Sequence, residues 1–147
     1  PRSVGVAFYY QLALAEEISV EDIANPNGNT IREDLINAIT AILEPVLNAR
    51  HRYTRRTRKL QDRTDLDTVT FDSISRGSLP DKPCGSSYCI VVTSTIFIFT
   101  TEREDSVKLA TYGIMQSSME PASTEFVKLV NNELVLSVVY GDEGAVP

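Results

Sequence analysis

Tryptophan is absent from these 147 residues, methionine and cysteine occur twice each, and histidine once. A lone imidazole, His51, gives the two cysteines a poor third partner, so a zinc site is a weak fit. It also leaves no nucleophile–histidine–acid set to argue for, because His51 lies among arginines in a solvated run. No apolar stretch reaches the roughly 18 residues of a membrane-crossing helix. There is no phosphate-cradling glycine loop, no internal repeat and no low-complexity tract. A net charge of −6 disfavours non-specific nucleic-acid binding. The chain opens on Pro1 without a signal-peptide pattern, which reads as a processed chain or a piece of a longer one.

Hydrophobic residues make up 42%, enough for a real core in one domain spanning 1–147. Val4, Val6, Phe8, Tyr10, Leu12 and Leu14 alternate with smaller residues, which predicts a strand. "NPNGNT" is a turn, and Thr30 with Glu33 forms a capping-box pattern before a helix running to about Leu47. Pro45 should kink or fray its last turn. "DLDTVTFDSIS" predicts a second strand, and Cys89 to Thr101 a third. Asp105 or Ser106 caps a helix to Met119, Pro121 opens another helical piece through Asn132, and "ELVLSVVYG" predicts a last strand. The order β-α-β-β-α-β predicts an α+β, ferredoxin-like antiparallel sheet with helices packed on one face.

The stretch "KPCGSSYCIVVTSTIFIFTTE" is apolar on both sides of its strand. Val91, Phe97 and Phe99 share one face; Ile90, Val92, Ile96 and Ile98 share the other. In the last strand, Leu134, Leu136 and Val138 oppose Val135 and Val139. Such strands imply a sheet covered on both sides, by the chain itself or by another subunit. Ile96 and Ile98 are the candidate exposed contacts. Cys84 and Cys89 stand five apart, which on a regular strand would point them to opposite faces. Gly85 and Pro83 permit a turn that joins them in a disulfide; two unrelated buried thiols are the alternative.

Gly85-Ser86 ahead of Ile90-Val91-Val92, in this element order, resembles the SEA domain family of extracellular and cell-surface proteins. Several of its members cleave themselves at a Gly-Ser bond between strands two and three, the serine hydroxyl attacking the preceding carbonyl. The resemblance therefore implies Gly85 and Ser86 as the self-cleavage pair. Here Ser87, Tyr88 and Cys89 intervene before the β-run, and the bond is expected to stay intact.

Residues 50–63 carry seven of the fourteen Lys and Arg and one acid, Asp62. That segment is +6 (+7 − 1) and the remainder of the chain is −12, giving the −6 total. A solvated helix end or loop is the plain interpretation. Arg50, Arg52, Arg55, Arg56, Arg58 and Lys59 are also the candidate contacts for an acidic patch on another copy, or for an anionic polysaccharide. Glu16-Glu17 and Glu21-Asp22 read as surface charge, Asn25, Asn27 and Asn29 as a turn, and Asp62, Asp65 and Asp67 as a solvated strand entry. No cofactor and no catalysis are expected. The sequence points to a secreted or cell-surface structural or adhesion module that self-associates, with a filament as one outcome of that association. The alternative is a monomeric ligand- or partner-binding module using the second apolar face of the sheet.

Overall fold

The computed structural model describes residues 2–25, 28–49, 52–53, 60–120 and 123–143. Strand β1 (Arg2–Leu14) is followed by a short helix α1 (Val20–Ala24), the long helix α2 (Ile31–Asn48) and a two-stranded ladder of β2 (Arg52–Tyr53) and β3 (Leu60–Asp62). Strands β4 (Thr64–Arg76) and β5 (Tyr88–Thr100), helices α3 (Glu104–Ser118) and α4 (Glu125–Val130), and strand β6 (Val135–Glu143) complete the chain. The four long strands form one antiparallel sheet in the order β4-β5-β1-β6. Each helical crossover leaves room for a strand from the other half, which is the ferredoxin-like arrangement of an α+β protein.

Register settles which face the helices cover. Val4 pairs with Ile98, Val6 with Ile96, Tyr10 with Val92 and Leu12 with Ile90, so these side chains share one face. Helix α2 brings Ile31, Leu35, Ile39, Leu43 and Leu47 onto it at helical spacing, and α3 adds Val107 and Met115. Ile96 and Ile98 are therefore 0% exposed and belong to this core, not to an open contact surface. Buried polar pairs interrupt the layer: Tyr10 Oη and Ser94 Oγ lie 3.0 Å apart, and Thr64 Oγ1 and Thr100 Oγ1 2.7 Å apart.

Several local details depart from the sequence pattern. Thr30 makes no capping bond; its hydroxyl donates to Asp34 at 2.7 Å, and Asn29 Oδ1 accepts from the Ile31 N–H at 3.2 Å instead. Pro45 lies within the last turn of α2, which runs to Asn48, close to the Leu47 end that the spacing predicts, because a proline near a helix end removes few intrahelical bonds. Helix α3 starts one residue before Asp105, so Glu104 and Asp105 both sit in its first turn, where the helix dipole favours them. Helix α4 is shorter than the pattern: Asn131, at φ 49°, ends it in the left-handed conformation. Part of the basic run lies in the β2–β3 ladder, where a helix end or loop was the expectation.

Both sheet edges are modified. β4 carries irregularities between Leu66 and Thr68 and between Phe71 and Ser73, which bend it and discourage strand addition. On the β6 edge, the Tyr140 N–H donates outward to the Met119 carbonyl at 3.1 Å.

Candidate functional site

The face of the sheet away from the helices has three zones. At one end Phe97 and Phe99 project from β5, and Phe99 remains 42% exposed. Phe97 pairs with Gly5, whose missing side chain leaves room for the ring: a Cβ there would meet Phe97 Cε1 at 3.4 Å. The middle zone is polar. Thr70 pairs with Thr95, and Ser73 with Thr93. Asp72, left over at the irregularity in β4, accepts from the Thr70 hydroxyl at 2.6 Å and from the Thr95 hydroxyl.

The third zone is covered by the chain itself. Residues 77–87, between β4 and β5, leave the hairpin at Gly77, whose φ of +127° suits glycine, and cross β5 to reach β1. The side chain of Gln11, 2% exposed, clamps this strap from below. Its Oε1 accepts from the Leu79 N–H at 2.6 Å and its Nε2 donates to the Pro83 carbonyl at 3.2 Å. Leu79 is buried, and Val91 and Val139, which flank Gln11 in register, are buried with it. At the far end of the strap the Ser86 hydroxyl donates to the Leu14 carbonyl at 2.5 Å and accepts from the Tyr88 N–H at 3.0 Å.

Cys84 and Cys89 are joined in a disulfide with Cα atoms 6.3 Å apart, tying the strap to the start of β5. The turn through Gly85 supplies the reversal that a regular strand would have forbidden. Gly85 is not among the residues with positive φ, and the Ser86 hydroxyl is engaged by Leu14 rather than by the Gly85 carbonyl. The basic candidates Arg50, Arg55, Arg56, Arg58 and Lys59 lie outside the described residues, as does His51; Arg52 is described as backbone in β2.

A concavity wraps the β6 edge. It holds about 420 Å³ between β6, α4 and the strap, with Val127, Lys128, Leu136, Val138, Val139 and Pro83 on its walls; Leu136 is 52% exposed. Among the described residues, no group of three or more His, Cys, Asp and Glu side chains is placed to hold a metal ion. No described helix is long and apolar enough to cross a membrane. The phenols of Tyr10 and Tyr140 are held above the usual tyrosine range chiefly by burial, so neither ionises near neutral pH.

No family model, no curated protein and no solved structure matches this chain.

Sequence reasoning missed the strap and Gln11. The signal available was Gln11 itself, a polar amide at a strand position among mostly small residues, which needs hydrogen-bond partners if that face is buried.

Proposed function

We propose that the chain is a non-catalytic extracellular or cell-surface module of SEA-like build, with a structural or adhesive role, that associates with further copies of itself. The observation that carries this reading is the uncovered aromatic end of the second sheet face, where Phe99 stands exposed beside Phe97. An aromatic pair of this kind contributes most when another surface removes it from water, at roughly 25 cal/mol per Å² before association costs. The occupant is a second copy because the charge is segregated within one chain, +6 over residues 50–63 against −12 elsewhere. Asp72 and Asp142 belong to the acidic part and lie on or beside the same face. A basic segment meeting acidic surface on a neighbour is a heterologous contact, which propagates into a filament unless its rotation closes a ring. Charge pairs at the rim set register and rate rather than affinity. The Cys84–Cys89 disulfide supports an oxidising compartment.

The concavity at the β6 edge favours a second reading, a monomeric ligand- or partner-binding module. Sedimentation velocity of the unmodified protein separates the two. Self-association gives a boundary that moves faster as concentration rises through the micromolar range, with a rate of assembly that added salt lowers. A monomeric boundary, insensitive to both, sinks the first reading and favours the second.

A further inference from the structure

We propose that the Cys84–Cys89 disulfide is a reducible latch, and that reducing it releases the strap from the second face of the sheet without unfolding the domain. Among the described residues the strap is held at few points: the Gly77 N–H donating to the Cys89 carbonyl at 3.0 Å, the disulfide, the Gln11 clamp, the Ser86–Leu14 hydrogen bond and the burial of Leu79. The helix-side core does not depend on any of them, because its side chains lie on the opposite face of β1 and β5.

The bond is accessible. A cavity of about 630 Å³ opens beside it, walled by both cysteines, Ser86, Ser87, Lys82 and Arg76. Arg76 also reaches Glu17 at 3.8 Å and the Ile18 carbonyl at 3.4 Å. Cations next to a disulfide stabilise the departing thiolate and so speed exchange. A dithiol reductant supplies the electrons. Its thiolate attacks one sulfur, the S–S bond breaks and a mixed disulfide forms. The reductant's second thiol then displaces the protein sulfur and closes the reductant's own disulfide. Two electrons pass to Cys84 and Cys89, and the two thiol protons of the reductant end on the two new thiols.

Release uncovers Val91, Val139 and Ala13 and removes Pro83 and Gly85 from the wall of the cavity at the β6 edge. The second face thus has a closed form with a short apolar end and an open form with a longer one. This goes beyond self-association and does not require it.

The test is hydrogen exchange on the intact protein, oxidised and after dithiothreitol. Full reduction without denaturant should raise exchange over residues 77–87 by roughly 10- to 100-fold, read most directly at the Leu79 amide. Amides of β1 and β5 over 6–10 and 92–98 should keep their protection. The double variant Cys84→Ser, Cys89→Ser should match the reduced protein; if it does not fold, reduced wild type carries the comparison. Unchanged protection over 77–87 after full reduction overturns the proposal. So does loss of strap and core protection together, or a bond that dithiothreitol reduces only in denaturant.

Discussion

Gly141 lies beneath the ring of Tyr9 so closely that a Cβ at position 141 would stand 2.6 Å from Tyr9 Cε2 and 2.7 Å from the Tyr9 carbonyl oxygen. The ring could turn away, but the carbonyl belongs to β1 and cannot. Gly141→Ala should therefore destabilise the fold by about 1–3 kcal/mol, as overpacking against fixed backbone does. Adding Tyr9→Ala should restore part of the loss and not all of it. Urea midpoints of the two variants check this; full rescue would show that the ring alone sets the limit.

Tyr10 and Ser94 form a buried polar pair in the helix-side core. Ser94→Ala should cost about 1–3 kcal/mol, because it leaves a buried phenol without its partner. Tyr140→Phe should be neutral or slightly stabilising, since the Tyr140 hydroxyl is buried with no partner among the described residues. Chemical denaturation of both variants reads the contrast, and equal losses would contradict it.

Alkaline pH tests the same burial. Tyr10 and Tyr140 are raised in the folded state, mainly by burial, while an unfolded tyrosine titrates near pH ~10. Above that pH the native state holds protons that the unfolded state has lost. The stability they contribute is complete below pH ~10 and falls as pH rises further. Of the six tyrosines, these two should ionise only together with loss of near-ultraviolet circular dichroism. Reversible ionisation of all six with the fold intact would be contrary to the buried placement.

The Gly85–Ser86 bond should remain whole. The Ser86 hydroxyl is committed to Leu14 and Tyr88, and no positive φ marks Gly85. After reduction and boiling, one band near the full 16.3 kDa is expected on a denaturing gel. Two fragments meeting at that bond would restore the self-cleaving chemistry implied by the SEA resemblance.

The strand order and the two crossovers were legible because alternation and helical spacing are local signals. The use of the two faces was not. Ile96 and Ile98 are as apolar as Phe97 and Phe99, and hydrophobicity alone cannot say which pair meets the helices. That is decided by register with β1, where Val4 and Val6 stand opposite the isoleucines while Gly5 stands opposite Phe97. The residues at 67 and 72 slip β4 at two places, and Asp72 acquires its threonine partners there. Gln11 and Leu79 meet across 68 positions of sequence, beyond any periodic pattern. Helix α1 is too short to show a period, although Ser19 before Glu21 and Asp22 is an N-cap pattern, and the Ser19 side chain does accept from the Glu21 N–H at 3.2 Å.

Two single substitutions, compared by light scattering at micromolar concentration, test the self-association account most directly. Phe99 lies on the second face, whereas Leu109 is 76% exposed on α3, on the helix side of the sheet. Each is replaced by Lys, which adds the same charge at an exposed position. The account expects wild type and Leu109→Lys to show the same concentration-dependent mass above that of the monomer, and Phe99→Lys to stay monomeric. Association that survives Phe99→Lys, or that Leu109→Lys abolishes, would contradict it.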